Sequence, residues 1–92
     1  MNVYCNKDEI HQKALDRGYV QTMGTDGDSV RVYLKNGINL YLFMDSENFE
    51  LSSFVDKSII KVTTNKCGSF MNDAHFQNIE EQIERVLCQV NN

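Results

Sequence analysis

The side-chain pattern of this chain predicts an α+β fold in two layers (α-β-β-β-β-α). An antiparallel sheet of three to four strands is expected, with an N-terminal and a C-terminal helix packed on one face. Three observations carry that expectation. Apolar and polar residues alternate with period two on both sides of Asn36-Gly37. A stretch with helix-start and helix-stop residues precedes them, and a long segment near the end repeats its apolar residues at helical spacing.

The first element is a helix over 5–18. Asn6 is a good N-cap, Glu9 can close a capping box with it, and Cys5 can staple against Ile10. Gly18 is the expected residue just past the helix end, with Arg17 favourable in the last turn. Ile10, Ala14 and Leu15 form a narrow apolar stripe with His11 between them. A histidine so placed reads as a half-buried packing residue rather than a catalyst.

Tyr19 to Met23 follows as a short strand, and then comes the hairpin. Val30, Val32 and Leu34 alternate with Ser29, Arg31, Tyr33 and Lys35; Ile38, Leu40, Leu42 and Met44 alternate with Asn39, Tyr41 and Phe43. Asn36-Gly37 between the two runs is a strong turn signal. A two-residue turn pairs Lys35 with Ile38 and scatters apolar groups over both faces. A three-residue loop, Lys35-Asn36-Gly37, pairs Leu34 with Ile38, Val32 with Leu40 and Val30 with Leu42. Burial favours that register, because a slip of one residue flips every side chain. Thr25-Asp26-Gly27 copies the loop, setting Val20 opposite Val32 and Thr22 opposite Val30. The expected meander has one aliphatic face, while Tyr19, Met23, Arg31, Tyr33, Tyr41 and Phe43 share the other.

Asp45-Ser46-Glu47-Asn48 is a polar turn, and residues 49–58 are ambiguous between strand and helical turn. Ser58 to Thr64 is β-branched and reads as a fourth strand, joined either to the strand 38–44 or to the edge at 19–23. Gly68 marks a loop before the clearest helix, Asp73 to about Val90, capped by Asn72 and stapled by Met71 with Phe76. Phe76, Ile79, Ile83, Val86, Leu87 and Val90 fall within an arc of about 100°, which should cover the aliphatic side of the sheet. Glu80, Glu81 and Glu84 lie beside or away from that arc.

Composition bounds the function. Ninety-two residues, 41% of them hydrophobic, make a single domain over 1–92 with one modest core. No apolar run approaches the ~18 residues of a membrane span, so a membrane is not an expected partner. The opening MNVYCNKDEI lacks a basic region followed by an apolar stretch, so no secretory signal is expected and the expected location is cytoplasmic. Cys5, Cys67 and Cys88 are scattered, form no CxxC, and lie far from His11 and His75 in sequence. Neither a disulfide framework nor a metal or cofactor site is expected from them. Thirteen acidic residues against nine basic ones give a charge of −4, opposite to the lean of an ordinary nucleic-acid binder. That balance suits a basic partner, or solubility alone.

Two surfaces are candidate sites. In the chosen register Tyr33 faces Tyr19, Arg31 faces Tyr41, and Phe43 faces Ser29. Tyrosine and arginine are enriched at binding hot spots, so this row reads as a docking patch; it reads equally as cross-strand pairs that stabilise the sheet. At one end of the sheet Asp26, Asp28, Asp45 and Glu47 should gather. Such a cluster steers toward a Lys/Arg-rich surface, or is simply the solvated charge of two turns. The Asp26 loop lacks the later ligands of a calcium-binding EF-hand. No GxSxG, HExxH, Walker loop or dinucleotide fingerprint is present, and no enzyme is expected.

The order helix, meander, C-terminal helix resembles double-stranded-RNA-binding domains. Their lysine cluster at the start of the last helix is replaced here by Asn72-Asp73-Ala74-His75, with only Lys66 nearby, so the RNA function does not carry over. In length, acidity, lack of proline and two-layer build, the chain resembles the small anti-CRISPR proteins of phages and prophages, above all the inhibitors of the type I-F CRISPR surveillance complex. That resemblance implies a stoichiometric inhibitor acting in an infected bacterial host. It would bind an RNA-guided nucleoprotein complex, with the guide RNA as a further contact, and block target DNA. The acidic end and the row at Tyr33 and Tyr41 are the contacts it implies. The alternative is a homodimeric accessory or regulatory protein associating through its aromatic sheet face.

Overall fold

Strand alternation and turn chemistry build a larger sheet than the pattern suggested. The computed structural model describes residues 7–24, 29–44, 48–64 and 69–90. Helix α1 (Lys7–Asp16) leads into strands β1 (Val20–Gly24), β2 (Val30–Lys35), β3 (Ile38–Met44), β4 (Phe49–Val55) and β5 (Ser58–Thr64), and helix α2 (Ser69–Val90) closes the chain. The five strands lie side by side in sequence order, each antiparallel to the next. The α+β class is as expected, with five strands rather than three to four. The ambiguous segment 49–55 is a full strand beside β3, and this moves β5 to the far edge, next to neither of the strands weighed for it.

The register also differs. Lys35 pairs with Ile38, Tyr33 with Leu40 and Arg31 with Leu42, so the turn has two residues and no bulge. Asn36 and Gly37 both take positive φ, 53° and 78°, as the two-residue hairpin turn that matches strand twist requires. Asp56 and Lys57 repeat this geometry at φ 47° and 67°, closing β4 onto β5 with Val55 opposite Ser58. Between β1 and β2 the pairing is Val20 with Leu34 and Gln21 with Tyr33, then Met23 with Val32, so the bulge lies inside β1 rather than at its tip. Thr22 is the extra residue, and its hydroxyl donates to the Val32 carbonyl at 3.2 Å. The proposed Thr25-Asp26-Gly27 loop lies outside the described residues.

Local turn preference therefore wins over the sorting of all aliphatics onto one side. The consequence is that each expected face splits. Tyr33, Arg31 and Tyr19 turn inward with Leu40, Leu42 and Met44, while Val30, Val32 and Leu34 turn outward. On β4, Phe49, Leu51 and Val55 extend the inner face, and on β5 Ile60 and Val62 complete it.

Both helices cover that inner face. α2 lies over β4 and β5 and contacts α1. It buries Phe76, Ile79 and Ile83, and α1 adds Ile10 and Ala14. Each large side chain removed from water there stabilises the fold by about 1.5–3 kcal/mol. Ser53 and Tyr33 bring polar groups into this layer with partners. The Ser53 hydroxyl donates to the Asn39 carbonyl at 2.7 Å, and the Tyr33 Oη lies 2.9 Å from His11 Nδ1. His11 is thus a half-buried packing residue, its ring tilted against that of Tyr33.

The helix ends show where local signals suffice. At α1 the N–H of Tyr19 donates to the Ala14 carbonyl (3.1 Å) and that of Gly18 to Leu15 (3.0 Å), with Gly18 at φ 94°. This is a Schellman stop, and only glycine takes that backbone conformation without strain. The proposed Asn6 cap and Cys5 staple lie outside the described residues. α2 starts at Ser69, so Asn72 sits within the helix rather than capping it. Its side chain is buried, and Oδ1 has no hydrogen-bond partner.

Candidate functional site

What the helices leave bare is the other face of the sheet. Strand pairing arranges its side chains in three rows. One runs Val30, Phe43, Glu50, Thr63. The next runs Met23, Val32, Tyr41, Ser52, Lys61. In the third, Val20 faces Leu34, Leu34 faces Asn39, and Phe54 faces Ile59. Among the described residues every exposed large hydrophobic except Leu15 belongs to this face. Ile59 is 69% exposed, Met23 67%, Val20 63% and Phe54 61%. Single exposed apolar residues are ordinary, but a contiguous patch is not.

The charges on this face are few. Among the described residues, Glu50 on β4 and Lys61 on β5 are its only ionisable side chains apart from the Tyr41 phenol. Both sit toward the β5 margin, leaving the middle and the β1 side uncharged. The edges of the sheet are guarded in the usual ways, by the bulge in β1 and by a lysine in β5.

The sequence-predicted site residues divide accordingly. Tyr41 (half-buried) and Phe43 (exposed) lie on the open face. Tyr33 is fully buried, and Arg31 and Tyr19 are buried as well, so these three are not a surface row. The physical reason is the two-residue turn, which places the odd-numbered residues of β2 on the same face as Leu40, Leu42 and Met44, the face that the helices cover. Asp26, Asp28, Asp45 and Glu47 lie outside the described residues. Sequence reasoning missed Phe54 because β4 was not recognised, and Ile59 because the pattern leaves open the neighbour of the expected strand 58–64, and with it the face of each residue. The available signal was Asp56-Lys57 between two short runs that each hold large apolar or β-branched residues, FELSSFV and SIIKVTT.

A second concavity lies between the β2–β3 turn and α2, lined by Tyr19, Lys35, Ile38, Leu40, Glu80 and Leu87 among others, with a volume of about 390 Å3. Its polar centre is Glu80, which the sequence placed beside or away from the apolar arc of α2 and gave no site role. Arg17 donates to Glu80 Oε1 from Nε (3.0 Å) and Nη2 (2.6 Å), and the Tyr19 hydroxyl donates to Oε2 at 3.0 Å. Lys35 Nζ lies 3.7 Å from Oε2 and 5.1 Å above the Tyr19 ring. Burial alone would push the Glu80 carboxyl up, but hydrogen bonds from Arg17 and Tyr19 and the two cations outweigh it and hold the pKa below its ordinary value. Burial, reinforced by the Glu80 charge, drives the Tyr19 phenol above its ordinary value. The hydrogen bond to Glu80 raises Arg17 further. Both oxygens of Glu80 are thus committed to donors, and the cluster acts as a clasp between the end of α1, the sheet and α2. Lys13 to Asp73 (2.9 Å) adds a second, more exposed tie between the helices.

Among the described residues no three His, Cys, Asp or Glu side chains are grouped to hold a metal ion, and no helix is long and apolar enough to cross a membrane. Comparison with known proteins finds no matching family model, no matching curated relative and no matching solved structure. The fold and its bare face define a two-layer α+β domain whose open sheet surface carries most of the exposed large apolar side chains among the described residues.

Proposed function

We propose that this chain is a non-catalytic protein-binding domain that docks through the open face of its sheet. The observation that supports this reading is the concentration of exposed apolar side chains on that one face, with Tyr41 near its centre. Monomeric proteins rarely leave such a contiguous patch larger than a few hundred Å2. The test uses Phe54→Asp with Ile59→Asp. The folded wild-type protein, held dilute, should bind a hydrophobic dye such as anilinonaphthalene sulfonate. The variant should keep the native circular dichroism spectrum and lose most of the dye signal. Unfolding of the variant, or dye binding unchanged by it, would remove the reading.

A second reading is favoured by the charge distribution. The chain carries −4, and exposed carboxylates such as Asp8, Asp16, Glu81 and Glu84 lie on the helices, away from the bare face. An acidic inhibitor of a basic nucleoprotein assembly fits that balance, and the type I-F CRISPR surveillance complex is the partner the anti-CRISPR resemblance suggests. Charge reversal at Asp26, Asp28, Asp45 and Glu47 should then weaken capture of that purified complex and lower the salt sensitivity of binding. Capture untouched by the reversal rules out the electrostatic contact.

A further inference from the structure

We infer that the occupant of the open sheet face is the same face of a second copy of this chain, forming a two-fold symmetric sandwich of two five-stranded sheets with the helices outside. The inference rests on the docking reading above and names its partner.

Area is the first argument. Strands about 4.8 Å apart and rising about 3.3 Å per residue give β1 to β5 a footprint near 20 Å on each side. With side chains as exposed as Phe54, Met23, Val20 and Ile59, that footprint offers on the order of 700 Å2 of accessible surface. A stable interface of standard size buries about 800 Å2 per partner. The whole face is therefore needed, and one twisted sheet is a natural partner for another, about 10 Å away.

Charge is the second. The chain is acidic, so two copies repel through most surfaces. The open face carries one acid, Glu50, and one base, Lys61, and is neutral among the described residues. Meeting through it turns the helix carboxylates outward and leaves the two charges toward the margin, where a polar rim belongs. Edge pairing is opposed by the β1 bulge and by Lys61 on the β5 edge strand. Tyr41, in the middle row on the central strand, falls near the two-fold axis and packs close to its counterpart.

The test is sedimentation equilibrium of the full chain from about 1 to 300 μM, a range that brackets a micromolar dissociation constant. A concentration-dependent dimer is expected. Phe54→Asp with Ile59→Asp should raise its dissociation constant at least ~100-fold, and Glu81→Lys, on the helix side, should leave it unchanged. Hydroxyl-radical footprinting of the wild-type protein needs no variant: Met23 and Phe54 should be protected in the concentrated sample relative to the dilute one, and Leu15 should not. A monomer throughout the range, a dimer indifferent to the sheet-face variant, or equal oxidation of Met23 and Phe54 at both concentrations overturns the inference. A monomer that still binds the hydrophobic dye removes the second copy alone and leaves the docking reading standing. Loss of fold in the sheet-face variant removes both.

Discussion

Replacing Tyr33 with alanine is expected to lower the free energy of unfolding by about 3–5 kcal/mol, read from the midpoint and slope of a urea transition. Tyr33 is fully buried beneath α1, and truncation leaves a cavity the size of a ring bordered by β1, β3 and His11. Tyr33→Phe separates the two contributions. It keeps the ring and removes the hydroxyl with its bond to His11, for a cost of about 1 kcal/mol. The pair of variants discriminates between registers. With a three-residue loop at Asn36-Gly37 the ring faces solvent, and alanine costs within about 0.5 kcal/mol, as exposed sites do.

Removing the charge of Glu80 should have the next largest effect. Glu80→Gln is expected to cost about 2 kcal/mol, because hydrogen bonds to a charged group contribute more than neutral ones and Arg17, Lys35 and Tyr19 lose their common anion. Its side chain is 24% exposed, so added salt should soften the cost. The pH dependence follows from the direction of the shift. A carboxyl whose folded-state pKa is depressed adds stability that is fully present above its unfolded value of 4.5 and is lost as pH falls through the folded value. The wild-type protein should therefore lose stability on acidification below about pH 5 more steeply than Glu80→Gln. Parallel curves of stability against pH for the two proteins would show that the clasp does not hold the helices to the sheet.

Both variants touch residues that play other parts when the chain is read as a string. Tyr33 looked like a docking residue because its neighbours alternate cleanly with aliphatics. Glu80 drew no role beyond its place beside or away from the apolar arc, because its partners Arg17, Tyr19 and Lys35 lie 45 or more positions away in sequence. Long-range ion clusters leave no local signature. The apolar candidate Phe54 was hidden for a different reason. Ser52 and Ser53 interrupt the apolar alternation of β4; Ser53 turns inward between Leu51 and Val55 as the strand period dictates, and its hydroxyl donates to the Asn39 carbonyl.

Local chemistry by itself determined a good deal of this protein: a helix stopped by Gly18, strands over 30–35 and 38–44, a turn at Asn36-Gly37, and a C-terminal helix facing inward through Phe76, Ile79 and Ile83. Each of these depends on contacts within a few residues, or on a period of 3.6 that admits a single apolar side. Which side of the sheet lies under the helices was decided only by the tertiary structure. Strands β2 and β3 carry large apolar groups on both of their faces, so a period of two fits either orientation. The tie is broken by β4 and by the ring of Tyr33 fitting beneath α1, leaving the valines of β2 on the face that meets solvent or a partner.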